Sequence, residues 1–290
     1  MTPPVVHRAA VLGHPVDHSL SPVLHRAAYD ALGLTDWAYD CHDVTEDRFV
    51  AFVDGLDESW RGLSLTMPLK EVAAQVADTI SDTARLAGAI NTLLRVDEGW
   101  HADNTDVYGL TTALTEAGAV ASTGDVATIL GGGATARSAL CALRDLGFGE
   151  VIVAARTPDK ARAALERTSA ELGLRVEYVP LGEWATRASS VVLSTLAPGG
   201  SVAAAESLAA RGTRSDTAPH GAPVLLDVVY ANWPTPLAHA ATQAGFTVVS
   251  GLEMLIHQAV RQVELMTGNA CGPGVVAAMA SAARTATADT

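Results

Sequence analysis

Short apolar runs of strand length alternate along this chain with stretches whose apolar residues recur at helical spacing. The first half predicts strands over 9–13, 37–43, 61–66, 93–96 and 100–102. It predicts helices over 23–32, 46–54, from Pro68 to about 77, over 81–87 and from the 103–109 segment to about 117. Asp97-Glu98-Gly99, set between two alternating runs, is a hairpin signal. The second half predicts strands over 125–130, 150–155, 191–194, 224–229 and 247–249, helices over 134–146, 159–172 and 204–210, and helix again from 252. Strands and helices in alternation define an α/β pattern. The polar, Gly- and Pro-punctuated 211–223 reads as a surface loop, and Ala/Thr-rich 281–290 as a frayed end. No repeat of solenoid type is present.

Between the 125–130 run and the helix after it stand Gly131-Gly132-Gly133-Ala134-Thr135-Ala136. A glycine turn joining a buried strand to a helix presents backbone N–H groups and the positive helix end to a phosphate. Gly131, Gly133 and Ala136 satisfy the G-x-G-x-x-A form of the dinucleotide fingerprint, and the next strand closes a βαβ unit around it. An NAD site ends that second strand with Asp or Glu, whereas an NADP site carries Arg there. Here the strand ends Ala155-Arg156-Thr157-Pro158-Asp159-Lys160, so Arg156, Thr157 and Lys160 suit a 2′-phosphate; Arg156 as a plain solvated strand end is the alternative.

The 290 residues suffice for one large domain or two smaller ones. Although 49% are hydrophobic, no apolar run reaches membrane-spanning length, and the N-terminus lacks the blocks of a signal peptide. Cys41, Cys141 and Cys271 are scattered without a C-x-x-C, which argues against disulfides or a metal site and for a reducing, cytoplasmic setting. A net charge of −13 counts against nucleic acid as a partner, and leaves any anionic ligand to be held by local donors. The 19 basic residues include only two lysines, Lys70 and Lys160. A lysine kept in an arginine background points to work that a guanidinium, which does not give up its proton, cannot perform.

Several first-half residues are suited to chemistry. Ser19 and Ser21 precede a helix whose first position suits Pro22; Ser21 reads as an N-cap, and the two hydroxyls also make a cradle for a carboxylate. Thr66 and Lys70 follow the third strand at its C-terminal end, where α/β proteins bind ligands. Asp106 opens a helix, either as a cap or as a functional carboxylate.

These pieces carry a resemblance. The spacing G-x-P-x-x-H-S-x-S-P-x-x-H from Gly13 to His25, then L-T-x-P-x-K (Leu65 to Lys70), G-A-x-N-T (Gly88 to Thr92) and N-T-D-x-x-G (Asn104 to Gly109), resembles shikimate dehydrogenases. Asp227-Val228-Val229-Tyr230, Pro234-Thr235-Pro236-Leu237 and the 251–259 stretch agree, so the likeness runs from about residue 9 to 268. It implies an enzyme that reduces 3-dehydroshikimate to shikimate with NADPH in aromatic amino-acid biosynthesis. It also implies two domains: an N-terminal α/β substrate domain (1–105) completed by C-terminal helices (252–290), and a Rossmann-type doubly wound NADP-binding domain (106–251).

By the same resemblance Ser19, Ser21, Thr66 and Tyr230 hold the substrate carboxylate, and Asn91, Asp106 and Gln258 address the ring hydroxyls. Lys70 and Asp106 form the catalytic pair. Ser194, Thr195, Leu196, Val228, Gly251, Met254 and Leu255 join the glycine turn and Arg156 around NADP(H). Departures from the family pattern are Arg26 and Ser64 where Asn is commoner, Ala155 before the Arg-Thr pair, and Met266 where Trp is frequent. The rival reading within the resemblance is a quinate/shikimate dehydrogenase using NAD, against which Arg156 counts. A non-catalytic nucleotide sensor on the same fold is disfavoured by Lys70, Asn91, Asp106 and Gln258 occurring together. The partners implied are small molecules; a homodimer is left open.

Overall fold

The computed structural model describes residues 5–97, 99–197, 199–211 and 222–288. Within them the chain forms two compact units, one of Met1–Gly109 with Leu255–Thr290, the other of Leu110–Met254. These boundaries fall a few residues C-terminal of the expected 105/106 and 251/252.

The first unit is built on a mixed six-stranded sheet. Its elements in chain order are β1 (His7–Gly13), α1 (Ser21–Leu32), β2 (Trp37–Asp43), α2 (Glu46–Asp54), β3 (Trp60–Leu65), β4 (Thr79–Ile80), α3 (Asp82–Ala87), β5 (Thr92–Val96), β6 (Gly99–Asp103) and the start of α4 (Asp106–Glu116). The sheet order is β2-β1-β3-β5-β6-β4. Strands β1, β2 and β3 run parallel, while β5 pairs antiparallel with both β3 and β6. The alternation over 93–102 thus forms the hairpin it predicts. One face buries Leu12, Phe49, Leu63, Leu69, Leu93 and Trp100.

The second unit holds β7 (Val126–Leu130), α5 (Ala134–Asp145), β8 (Glu150–Ala155), α6 (Pro158–Glu171), β9 (Arg175–Pro180), β10 (Val191–Ser194), α7 (Ser201–Arg211), β11 (Val224–Asp227), α8 (Pro236–Gln243) and β12 (Thr247–Ser250). Its strand order, β12-β11-β10-β7-β8-β9, is parallel throughout. Counted from β7, the order is the 3-2-1-4-5-6 of the dinucleotide-binding sheet, with its reversal between β7 and β10. The inner strands β7, β8, β10 and β11 are mostly apolar runs, as strands covered on both faces are, and Leu130, Ile152, Trp184, Val192 and Leu225 fill one side. α9 (Gly251–Thr267) follows β12, and α10 (Pro273–Ala288) packs on α1.

Four local expectations need correction. Ser21 is the first helical residue rather than the cap: Leu20 holds the cap position, and the Ser21 N–H donates back to Ser19 Oγ at 3.3 Å. The expected helix from Pro68 to 77 is only a turn of 3₁₀ helix at Ala73–Gln75. Its ladder is interrupted because the Lys70 carbonyl accepts from the N–H of Ile90 at 2.8 Å, not from a residue one turn on. The expected frayed end is instead mostly α10, since Val275, Met279 and Ala283 are buried. Strands β4 and β9 and helix α8 were not expected: β4 has two residues, and β9 is half-exposed and charged at alternate positions. Most of the expected 211–223 loop lies outside the described residues. Among the described residues no helix is long and apolar enough to cross a membrane.

Candidate active site

Three connections of the first unit end at one edge of its sheet. They are the turn after β3, the approach to β5 and the segment from β6 into α4, brought level because Ser64 pairs with Thr92 and Thr92 with Asp103. The turn after β3 is pinned by Leu69 N–H to Thr66 carbonyl (2.9 Å) and by the Lys70–Ile90 bond. The β6–α4 segment is pinned by Asn104, whose amide donates to the Ala89 carbonyl at 2.8 Å and whose Oδ1 accepts the Asp106 N–H at 3.0 Å.

This frame brings Lys70 and Asp106 together. Lys70 Nζ donates to Asp106 Oδ2 at 2.6 Å, with the side chains 20% and 6% exposed. The second carboxylate oxygen accepts from Asn91 Nδ2 at 2.9 Å. Asp106 therefore spends its oxygens on an ammonium and an amide rather than on a backbone N–H as a helix cap would. Asn91 also donates to Thr105 Oγ1 at 2.9 Å and lies 3.4 Å from Gln258 Oε1, while its own Oδ1 accepts the Thr105 N–H at 2.8 Å. The pair is charge-assisted and mostly desolvated, which makes it strong and costly to break on one side only.

Ser19 and Thr66 are half-buried and Ser21 is buried. They follow the C-terminal ends of the neighbouring parallel strands β1 and β3, with Ser19 and Ser21 at the entry to α1. Tyr230 belongs to the other unit, in the segment after β11, with its phenol pushed above the usual range by burial.

In the second unit Gly131 leaves β7 at φ +112°, a backbone region that L side chains rarely adopt, and a Cβ there would meet Thr195 Oγ1 at 2.5 Å. Gly132 lies against Ala161, where a Cβ would come within 2.7 Å of that methyl. Gly133 caps α5 at a position where a Cβ would meet nothing, and Ala134 and Thr135 form the first turn of that helix, whose N-terminus suits an anion. Ser194, Thr195 and Leu196 close β10 across the strand-order reversal, with Thr195 Oγ1 donating to the Leu130 carbonyl at 2.9 Å. Arg156, Thr157 and Lys160 follow just beyond the buried Ala155, Arg156 and Lys160 exposed. The donor set fits a dinucleotide phosphate at the glycine turn and a further phosphate at the β8 end. Val228 and Gly251 touch through backbone: a Cβ on Gly251 would come within 2.1 Å of the Val228 carbonyl oxygen. Met254 and Leu255 continue the first turn of α9.

Sequence reasoning missed Gln262, one helical turn beyond Gln258 on α9. Its amide donates to the Asn91 carbonyl (3.1 Å) and to Thr92 Oγ1 (2.9 Å), and its oxygen accepts from Ser64 Oγ (2.8 Å). The i, i+4 spacing of two glutamines on a largely apolar helix face was the signal available.

A parallel 3-2-1-4-5-6 sheet with a glycine turn at its reversal, together with a buried ammonium–carboxylate pair in a second α/β unit, defines a class of nucleotide-dependent α/β dehydrogenases. Residues 11–93 match the shikimate dehydrogenase substrate binding domain, and residues 251–283 the shikimate 5′-dehydrogenase C-terminal domain. The chain belongs to the shikimate dehydrogenase family. It is 38% identical over 274 residues to the shikimate dehydrogenase (NADP(+)) of Caulobacter vibrioides, covering 91% of each chain. It is similar to the crystal structure of the Mycobacterium tuberculosis shikimate dehydrogenase (39% identity, TM-score 0.82, 96% of this chain and 99% of that one). It is also similar to a Thermus thermophilus shikimate 5-dehydrogenase solved with NADP(H) and shikimate (31% identity, TM-score 0.78, 97% and 99%).

Proposed function

We propose that this chain catalyses the reversible reduction of 3-dehydroshikimate to shikimate with NADPH, in the cytoplasm, as a step of aromatic amino-acid biosynthesis. The observation that carries the reading is the 2.6 Å contact of Lys70 with Asp106, one of only two lysines in the chain held against a buried carboxylate. Reducing a carbonyl requires a hydride at carbon and a proton at oxygen. NADPH, when bound, supplies the hydride. Lys70, as the ammonium, neutralises the developing alkoxide and delivers the proton, while Asp106 holds that ammonium in position.

Asn91 and Gln258 address the ring hydroxyls beside this pair. Ser19, Ser21 and Thr66 hold the substrate carboxylate; hydroxyls at the entry to a twelve-residue helix suit an anion. The glycine turn 131–133 with Ala134 and Thr135 takes the pyrophosphate. Arg156, Thr157 and Lys160 take the 2′-phosphate. Ser194, Thr195, Leu196, Val228, Gly251, Met254 and Leu255 line the remainder of the dinucleotide site.

The test is a steady-state assay that crosses NADP⁺ and NAD⁺ with shikimate and quinate. The expected result is the highest kcat/KM for shikimate with NADP⁺. A preference for quinate or for NAD⁺ overturns the assignment in favour of a quinate/shikimate dehydrogenase.

A further inference from the structure

Behind Asp106 runs a buried file of polar groups that reaches the far edge of the first unit's sheet. Tyr39 on β2 donates its O–H to Ser64 Oγ (2.6 Å), and Ser64 donates to Gln262 Oε1 (2.8 Å). Gln262 Nε2 donates to Thr92 Oγ1 (2.9 Å), and Thr92 to Asn91 Oδ1 (2.8 Å). Asn91 Nδ2 then donates to Asp106 Oδ1 (2.9 Å). Tyr39, Ser64, Gln262, Thr92, Asn91 and Asp106 are each no more than 4% exposed.

The direction of this file is fixed by backbone groups that cannot reverse. Gln262 faces the Asn91 carbonyl, which only accepts, so its NH₂ must lie on that side and its oxygen toward Ser64. Ser64 must then spend its proton on Gln262, and Tyr39 must spend its own on Ser64. At the other end the Thr105 N–H, which only donates, holds Asn91 Oδ1 and turns the Asn91 NH₂ toward the carboxylate. His25 stacks on Tyr39 with ring centroids 3.9 Å apart, and its Nε2 lies 3.3 Å from Gln262 Oε1. Complete burial pushes His25 down to about 3, so it stands neutral beside the amide and adds a second donor to the same oxygen. Every donor thus points toward Asp106, and aligned hydrogen bonds polarise one another.

We propose that Gln262 is a positioning residue for the dehydrogenase reaction: with Tyr39, Ser64 and Thr92 it forms a one-way chain of donors that fixes the Asn91 amide against Asp106. The proposal rests on the functional reading above and extends it to residues that do not touch substrate. Ser64 is one of the departures from the family pattern noted in the sequence, and here it is the link that passes the Tyr39 proton donor on to Gln262. The glutamine on α9 binds the Asn91 carbonyl and the neighbouring Thr92 hydroxyl, so its loss loosens the segment that carries the amide without removing any catalytic group.

The test uses the full-length enzyme with shikimate and NADP⁺, with Gln262→Met, Tyr39→Phe and the double variant, all rates expressed per folded molecule after calorimetry. Expected are a fall in kcat of about tenfold for Gln262→Met with shikimate KM within about twofold, a smaller fall of kcat alone for Tyr39→Phe, and a double variant no slower than Gln262→Met. The non-additivity follows because a chain already cut at Gln262 has nothing left for Tyr39 to transmit. A kcat for Gln262→Met within about twofold of wild type overturns the proposal, as does a double variant whose loss is the product of the two single losses. If Gln262→Met does not fold, Tyr39→Phe, Ser64→Ala and their double decide by the same criteria. An inactive wild type overturns the functional reading together with this one, whereas an active wild type with unaffected variants overturns this one alone.

Discussion

The ammonium of Lys70 and the carboxylate of Asp106 meet at 2.6 Å although 36 positions separate them in the chain, and they do so inside a single folding unit. Replacing the lysine by alanine leaves Asp106 with one donor fewer in a mostly buried site and removes the proposed proton source. Lys70→Ala is expected to lower kcat by about 10²-fold or more, the scale of a positioned acid–base group, measured as shikimate oxidation per folded enzyme. Lys70→Arg retains the charge but not the readily transferred proton. Near-normal turnover by the arginine variant would reduce Lys70 to an electrostatic clamp.

Arg156 stands exposed at the end of β8, with Ala155 buried before it and Thr157 capping α6 after it. If it grips a 2′-phosphate, Arg156→Ala raises KM for NADP⁺ by roughly tenfold or more, the worth of a charged hydrogen bond, and leaves KM for NAD⁺ unchanged. Equal changes for the two cofactors would remove the arginine from cofactor discrimination.

Gly251 approaches the Val228 backbone so closely that a methyl group would lie 2.1 Å from its carbonyl oxygen. Backbone cannot rotate aside as a side-chain tip can, so Gly251→Ala must displace either the start of α9 or the segment after β11. The expected cost is about 2–3 kcal/mol, read from the denaturant midpoint. An alanine variant of wild-type stability would show that the contact relaxes freely.

His25 is wholly buried, and burial lowers its pKa from 6.5 to about 3, partly opposed by Gln262. The unfolded chain therefore binds a proton between those values that the folded chain refuses. Its contribution to stability is complete above about pH 6.5 and declines toward about pH 3, at roughly 1.4 kcal/mol per pH unit at full difference. His25→Phe keeps a ring against Tyr39 and removes the titration. Its stability is expected to fall less steeply than wild type between about pH 6 and pH 4. Parallel slopes would contradict this origin of acid sensitivity.

The repeating units of the fold were legible because each carries its own punctuation. β2 and α2 match the strand over 37–43 and the helix over 46–54 residue for residue. The β7–turn–α5–β8 segment declares itself through three glycines between a buried strand and an Ala/Leu-rich helix. What escaped was decided at a distance. The 70–77 stretch has helical composition, yet the Lys70 carbonyl is claimed by Ile90, and no local pattern reports that. Strand β9 carries alternating charge because it is a sheet edge, a position that topology assigns. Lys70 could be singled out by residue type and position, and Asn91 through the family resemblance. The path from Tyr39 through Gln262 could not, since it joins residues from opposite ends of the chain.

The first unit is stitched from two separated stretches of sequence, and this imposes an order of events during synthesis. The ribosome releases Tyr39, Lys70, Asn91 and Asp106 early, and Gln258 and Gln262 only after the whole second unit has been made. Until that late helix emerges, the Asn91 carbonyl, which also accepts from the Leu65 N–H at 2.7 Å, and the neighbouring Thr92 hydroxyl lack the Gln262 amide they share. The buried file is therefore completed only once residue 262 has been made, and a nascent chain halted before it has the Lys70–Asp106 pair but not the brace behind it.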